Sequence, residues 1–170
     1  LTKSFQDWNA QVRESASQAL VKIGKESLPF LLLVLDDPSA YARYNSLKAI
    51  GYIKSVSNDV IIPKIIEKFK DPETRVQRMA LETIGRLGFK DQKILTILFS
   101  LLREQSYENK NTITDTLVYI GPDAIPYCMN ALYEKNWADR YRAADVLLRI
   151  KQQHPNVEIP ISFLKEIFLD

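Results

Sequence analysis

Hydrophobic residues recur along the chain at the spacing of one helix face. In the first segment Ala16, Leu20 and Ile23 follow Arg13 at offsets of three, seven and ten residues. This spacing places the three side chains on one stripe of an α-helix, the geometry of an amphipathic segment that faces a core. No segment alternates apolar and polar residues with a period of two, as a half-buried strand would. The pattern therefore predicts helices and no strands.

The same pattern is repeated five times. We align the copies on one polar residue in each, here called the anchor. An acidic residue lies six places before each anchor: Asp7, Asp37, Asp71, Glu104 and Glu134. Successive acidic residues are 30, 34, 33 and 30 positions apart. The anchors themselves are Arg13, Arg43, Gln77, Lys110 and Arg140. A repeat of this length contains one supersecondary unit that buries its apolar face only against its neighbours. We therefore predict five repeat units, which start near residues 7, 37, 71, 104 and 134.

Each amphipathic helix, here called the first helix of its unit, is followed by a second apolar segment. These segments are predicted as second helices near Leu28–Leu35, Val60–Phe69, Lys93–Leu102, Ala124–Leu132 and Ile161–Phe168. Asp-Pro pairs at 37–38 and 71–72 predict helix N-caps, and Gly24, Gly88 and Gly121 predict C-terminal caps. The expected fold is all-α. It is an α-solenoid of about five stacked antiparallel helical hairpins that form a single domain over residues 1–170.

The repeated residues resemble HEAT repeats, and specifically the short repeats of phycobilisome lyase subunits and bacterial scaffold proteins. The first copy carries the turn Asp7, then Val12-Arg13, Ala16, Ala19-Leu20 and Gly24. The second copy follows it with Asp37-Pro38, Ala42-Arg43 and Ala49-Ile50, and the third with Asp71-Pro72, Val76 and Ala80. The resemblance covers nearly the whole chain.

That resemblance implies a ladder of ion pairs along the stack. The turn aspartates and helix arginines would form it, which assigns Asp7, Arg13, Asp37 and Arg43 a structural role. The third unit departs from the pattern, because Gln77 occupies the arginine position. Exposed ion pairs contribute only about 0.2–1 kcal/mol each, so we expect the apolar positions to stabilise most of the fold.

Residues one, five and nine places after each anchor share the helix face that points away from the apolar stripe. We call this surface the polar face; in HEAT-like folds it lines a concave groove. Tyrosine and arginine, the types enriched at binding hot spots, are frequent on it. The candidate partner-binding residues are Tyr44, Lys48, Tyr52, Arg78, Glu82, Arg86, Tyr119, Tyr141 and Arg149.

We therefore expect a protein-protein interaction scaffold that binds a protein or peptide partner through this face. Two alternatives stay open at this point. The short repeat also fits a bilin-lyase-like accessory subunit, although fold alone does not fix function. Nucleic-acid binding in the manner of HEAT-like DNA glycosylases would use a positive concave face with aromatic residues.

Charge and composition weigh against nucleic acid. The net charge is only +2, from 23 basic and 21 acidic residues, without the excess that phosphate neutralisation requires.

The lone Cys128 forms no internal disulfide, which fits a reducing compartment, and we expect a cytoplasmic location. No apolar run reaches the roughly 20 residues of a membrane span. Leu1 is not an initiator methionine, so we expect a piece of a longer protein or a processed chain. The oligomeric state stays open.

The sequence lacks a pattern typical of catalysis, and we predict no enzyme, no cofactor and no metal site. His154 is the only histidine, and its polar Gln-Gln-His-Pro-Asn surroundings predict a solvated loop residue. Cys128 lies in an apolar segment and is predicted to be a buried structural thiol. Trp8 and Trp137 each precede a first helix, where we expect them to pack at the turn.

Overall fold

The computed structural model describes residues 2–53, 58–89, 91–104 and 108–160. Within these ranges the chain is all-α and has no strand. Its contacts divide it into two compact units, Leu1–Leu87 and Gly88–Asp170, and each is described by itself. The single domain over residues 1–170 stays a prediction. The fifth second helix, expected near Ile161–Phe168, lies outside the described residues.

The first unit contains two and a half hairpins after a short leading helix. Its α-helices are α1 Thr2–Gln6, α2 Ala10–Ile23, α3 Leu28–Val34, α4 Ala40–Tyr52, α5 Asn58–Glu67 and α6 Thr74–Leu87. A short 3₁₀ turn at Gly24–Ser27 precedes α3, and another at Lys68–Lys70 follows α5 directly. The first helices α2, α4 and α6 pack side by side, and α3 and α5 pack against α4 and α6.

The second unit repeats the arrangement with fewer helices. Its α-helices are α7 Gln92–Arg103, α8 Lys110–Ile120, α9 Ile125–Ala131 and α10 Trp137–Gln153, with a 3₁₀ turn at Gly121–Ala124. The first helices α8 and α10 pack on each other, while α7 packs against α8 and α9. The predicted second helices therefore correspond to α3, α5, α7 and α9.

The predicted apolar columns form the two cores. The early position, which is small in four of the five repeats, and the middle branched position are buried in every repeat: Ala16, Ser46, Ala80, Ile113 and Ala143, and Leu20, Ile50, Ile84, Leu117 and Leu147. Burying one such branched side chain stabilises the fold by about 1.5–3 kcal/mol, more than one exposed ion pair. The last column fails at its first member, because Ile23 is 53% exposed.

Helix ends follow the predicted signals in part. Gly24, Gly88 and Gly121 have φ values of 81°, 65° and 79°, a region that favours glycine, so these predicted caps are confirmed. The prediction that Asp37 is an N-cap is wrong. Helix α4 begins at Ala40, and Asp37 Oδ1 instead accepts a hydrogen bond from the Ser39 amide at 2.8 Å.

The turn at the start of the third repeat, at Asp71, shows the same difference from the predicted N-cap. Asp71 Oδ1 accepts from the Glu73 amide at 3.0 Å, and α6 begins one residue later, at Thr74. Each aspartate therefore folds the turn before its helix. In the described ranges, no helix is both long and apolar enough to span a bilayer.

Candidate partner-binding surface

The anchor residues close the turns that lead into the first helices. In four repeats the anchor side chain donates a hydrogen bond to the backbone carbonyl oxygen of the residue six places earlier. The pairs are Arg13 to Asp7 (2.6 Å), Arg43 to Asp37 (2.8 Å), Gln77 to Asp71 (2.7 Å) and Arg140 to Glu134 (2.9 Å). Each arginine also donates to the next carbonyl. Glutamine satisfies the first oxygen as arginine does, which explains why the pattern tolerates Gln77.

The ion-pair ladder implied by the resemblance is present between the second and third repeats. Arg43 donates from Nε and Nη2 to the two carboxylate oxygens of Asp71, at 2.8 and 2.7 Å. Both residues are buried, and this hydrogen-bonded partner raises the pKa of the Arg43 guanidinium. The step from Arg13 to Asp37 is different, because Gln6 Nε2 binds the Asp37 carboxylate at 2.9 and 3.0 Å.

On the polar face of the first unit, side chains of adjacent first helices meet. Lys48 Nζ lies 2.6 Å from Glu14 Oε2, and this hydrogen bond is the main cause of a lowered pKa for the Glu14 carboxyl. One helix further, the Arg86 guanidinium lies 4.7 Å from the centroid of the Tyr52 ring. Arg86 also approaches Glu82 at 3.5 Å. Side chains of this face therefore contact each other between neighbouring first helices within Leu1–Leu87.

Where α2, α4 and α6 begin, the face opens into a cavity of about 350 Å³, here called the basic hollow. Its cationic and aromatic lining consists of Arg13, Tyr41, Tyr44, Lys48, Arg75 and Arg78, and Glu14 is its one carboxylate. Such a lining attracts anionic groups, because guanidinium groups bind carboxylates with paired hydrogen bonds.

The arginines of the basic hollow have few partners of their own. The guanidinium carbons of Arg13 and Arg75 lie 4.3 and 4.2 Å from the centroid of the Tyr41 ring. Arg75, chiefly through its interaction with the phenol, lowers the pKa of Tyr41. The Nε atom of Arg75 is buried without a hydrogen-bond partner, and Arg78 is exposed with no ion-pair partner in the ranges described. Positive charge therefore collects here with little neutralisation.

A second cavity of about 350 Å³ lies further along α2 and α4, and we call it the apolar hollow. Val21 and Tyr52 contribute its apolar surface, the buried Ala49 lies in its wall, and Lys22 also lines it. Glu14 and Lys48 line both hollows. The two hollows are therefore neighbours on one helix surface.

The second unit has its own cavity of about 560 Å³ between α8 and α10. Asp115, Trp137, Tyr141, Arg142, Asp145 and Arg149 line it. Arg149 is paired within the site, at 2.8 Å from Asp115 and 3.5 Å from Asp145, and the nearer carboxylate raises its pKa. Tyr141 is 67% exposed. This cavity therefore presents aromatic surface around an arginine whose charge is already neutralised.

The nine predicted partner-binding residues fall into two groups. Tyr44, Lys48, Tyr52, Arg78, Glu82 and Arg86 lie in the first unit, and Tyr119, Tyr141 and Arg149 lie in the second. Sequence reasoning missed Tyr41 and Arg75, which lie outside the one, five and nine offsets. The position of Tyr41 two residues before Arg43 was the sequence signal that could have pointed to it. Only the packing of the helices shows that the guanidinium groups of Arg13 and Arg75 lie over its ring.

The tryptophan prediction is wrong. Trp8 is 89% exposed and Trp137 is 71% exposed, so neither side chain packs into its turn. Trp137 instead contributes to the cavity of the second unit. An exposed indole beside Tyr141 adds to the aromatic character of that surface.

The reactive residue types lie apart from these cavities. His154 is exposed, as predicted. Cys128 is buried, which confirms the structural thiol, and burial raises its pKa to about 12. The residues described in the structure contain no group of three histidine, cysteine or carboxylate side chains that could hold a metal ion.

Comparison with known proteins agrees with this architecture. Among solved structures, the chain is similar to the complex of CpcE and CpcF of phycocyanin lyase from a Nostoc species, with a TM-score of 0.58 and 20% identity. That match covers 89% of this chain and 64% of the other, so this chain spans less than two thirds of it. An engineered protein matches with a TM-score of 0.49 and 16% identity, covering 89% of this chain and 78% of that one.

A family model described as HEAT repeats matches residues 28–118, which is more than half of the chain. The matched segment includes the first helices α4 and α6 and most of α8. The buried columns and the turns closed by the anchor residues are the features of the structure that correspond to this repeat. The chain belongs to the HEAT repeat family.

Proposed function

We propose that this protein is a scaffold that binds a protein partner through its polar face. The observation that carries the proposal is the exposure of aromatic side chains on that face: Tyr52 is 53%, Tyr119 70% and Tyr141 67% exposed. Tyrosine offers a large contact area and a polar hydroxyl, and with arginine it is enriched at binding hot spots. The function proposed is binding, without catalysis.

The charged groups of the polar face support the same function. In the first unit Arg78 is unpaired among the described residues, and its neighbour Tyr44 is half-buried beside it in the basic hollow. An unpaired cation next to an aromatic ring gives a partner both a charge to neutralise and a surface to cover. Such groups contribute most when a partner excludes water from them.

The test is a capture experiment with a triple variant of the polar face, Tyr44→Ala, Arg78→Glu and Arg86→Glu. The wild type and the variant are immobilised side by side in native extract, and bound proteins are identified by mass spectrometry. We expect at least one protein that the wild type retains specifically to be lost from the variant. Circular dichroism and thermal melting should show little change, since all three side chains lie outside the core.

A matched control makes one substitution by alanine and two charge reversals elsewhere: Leu33→Ala, Lys25→Glu and Lys93→Glu. Leu33 is 74% exposed on α3, and both lysines are exposed. Because the control changes charge by the same amount, it should retain what the wild type retains. Capture that survives in the polar-face triple variant, or that is lost equally in the control, would reject the proposal.

The similarity to the phycocyanin lyase complex makes a bilin-lyase-like accessory role the second candidate. At 20% identity the similarity is one of fold, so it does not transfer the chemistry. Mixing the purified chain with a linear tetrapyrrole and recording the visible absorbance tests this role directly. A stoichiometric shift of the absorbance band would favour it over the scaffold.

A further inference from the structure

The two hollows of the first unit differ in chemistry although they share residues. The basic hollow is lined by Arg13, Arg75, Arg78 and Lys48, and Glu14 is its one carboxylate. Lys48 already binds that carboxylate at 2.6 Å. Three guanidinium groups are therefore left without a carboxylate within hydrogen-bond distance, since the nearest to Arg75, Glu73, stays 3.8 Å from its Nε.

The guanidinium groups of Arg13 and Arg75 both stack on the Tyr41 ring, at 4.3 and 4.2 Å from its centroid. Their like charges repel each other, and an anion bound in the same hollow would offset that repulsion. The Arg75 side chain is 37% exposed and lines the hollow, so a ligand can reach it, although its Nε atom is itself buried. Arg13 has its Nη1 occupied by turn carbonyls, so it contributes charge and stacking more than new hydrogen bonds.

The apolar hollow lies two helical turns away on the same helices. Tyr44 lines the basic hollow and Tyr52 lines the apolar one, eight residues apart on α4, or about 12 Å at 1.5 Å per residue. An extended peptide covers about 12 Å with four residues. A single short segment can therefore reach both hollows.

We propose that the trough formed by the basic and apolar hollows binds an extended acidic segment of a protein partner. Its carboxylates would lie against Arg75 and Arg78, and an apolar side chain about four residues away would fill the hollow at Val21, Ala49 and Tyr52. This inference rests on the proposed scaffold function, and it names the chemistry of the partner.

The same geometry favours a peptide over a nucleic-acid strand. A strand needs a continuous cationic track for its phosphates. The paired Glu14 and Lys48 lie where the two hollows meet and interrupt that track with a neutral ion pair. Beyond the pair the hollow offers Val21 and Tyr52 with one further cation, Lys22, which suits an apolar side chain of a peptide better than a run of phosphate groups.

The test uses fluorescein-labelled dodecamer peptides and fluorescence anisotropy with the full chain. The probe carries three consecutive glutamates and one phenylalanine four residues beyond them, and a second probe reverses that order along the peptide. Comparison peptides replace the glutamates by lysines, replace the phenylalanine by serine, or bring it next to the acidic block. A labelled single-stranded oligonucleotide is titrated in parallel, at about 50 and about 200 mM salt.

We expect at least one of the two acidic probes to bind about tenfold or more tightly than the lysine peptide and more tightly than the short-spaced one. Arg78→Glu should weaken that binding by about tenfold. Tyr52→Ala should remove the advantage of phenylalanine over serine while leaving the preference for glutamate. Lys25→Glu, an equal charge reversal outside the trough, should leave the affinity within about twofold.

Two results would overturn the inference. One is equal affinity for the acidic and lysine peptides. The other is an oligonucleotide that binds more tightly than the acidic probes and loses binding in Arg78→Glu. If either occurs while the triple variant still loses its captured partner, the scaffold function stands and only the acidic segment is rejected. Capture that survives in the triple variant rejects the scaffold function itself.

Discussion

In the first unit Arg78 is exposed and unpaired among the described residues, and the buried Nε atom of Arg75 has no hydrogen-bond partner and stays 3.8 Å from Glu73. In the second unit the arginine of the polar face, Arg149, lies 2.8 Å from Asp115 and 3.5 Å from Asp145. Both units thus place arginine beside exposed tyrosine. The first leaves the charge available to a ligand, whereas the second neutralises it internally.

The comparison shows that a repeat can keep its core and change its surface independently. Ile84 and Leu147 occupy the same column of α6 and α10 and are buried in both. Two positions after Ile84 stands Arg86, and two positions after Leu147 stands Arg149, each with a different set of partners. The apolar stripe specifies the fold, and the residues between its members set the charge and pairing of the surface.

The largest effect is expected where the two units differ in a buried ion pair. Arg43→Leu leaves the Asp71 carboxylate buried without its partner, and such a loss costs about 3–5 kcal/mol. The equivalent change in the second unit, Arg140→Leu, removes two hydrogen bonds to turn carbonyls and should cost about 1–2 kcal/mol. Urea unfolding followed by circular dichroism measures both.

A double variant sharpens that prediction. Asp71→Asn removes the charge and keeps an oxygen for the Glu73 amide, so Arg43→Leu combined with Asp71→Asn should be more stable than Arg43→Leu alone. Equal losses for Arg43→Leu and Arg140→Leu would show that the buried pair does not distinguish the two units.

A smaller effect is expected from reversing the charge of one arginine in each polar face. Arg149→Glu breaks two ion pairs and places like charges together, which should cost about 1 kcal/mol. Arg78→Glu removes no ion pair and should change the free energy of unfolding by less than about 0.5 kcal/mol. Thermal melting at low salt compares the two, and a larger loss for Arg78→Glu would contradict the contrast between the units.

The smallest effect is a pH dependence within the first unit. Hydrogen bonds from Lys64 and then Lys68 lower the pKa of Asp36 from its ordinary value of 3.8, so the folded chain favours the ionised carboxylate. This contribution is fully present above pH 3.8 and is lost as the pH falls through the lowered pKa. Wild type should melt slightly above Asp36→Asn at pH 7. A difference that persisted unchanged at pH 2.5 would assign the effect to something other than ionisation.

Much of the fold was predictable because the apolar period is local information. The columns through Leu20 and Ile84 located the first helices, and the segments between them located the second ones. The turn aspartates were misread as N-caps. Asp37 and Asp71 have the residue type of a cap, and only backbone geometry shows that each folds the turn ahead of the helix.

The candidate site was less predictable, because contacts between helices decide it. Fixed offsets from the anchor place a residue on a face of one helix but do not tell which neighbour it meets. Lys48 lies five residues after its anchor and contacts Glu14, which lies one residue after its own. Arg86 and Tyr52, in contrast, both lie nine residues after their anchors and contact each other. Tyr41 lies in the first turn of α4, where the fixed offsets did not reach.

The bonds that Arg13, Arg43, Gln77 and Arg140 make to carbonyls of their own turns have an evolutionary consequence. Arg13, Gln77 and Arg140 all fasten the loop that introduces their own hairpin, without needing a residue from the adjacent one. A gene duplication or deletion that adds or removes a whole hairpin would leave these hydrogen bonds intact in the remaining hairpins. Arrays of this kind can therefore change length by recombination while each surviving module keeps its local shape.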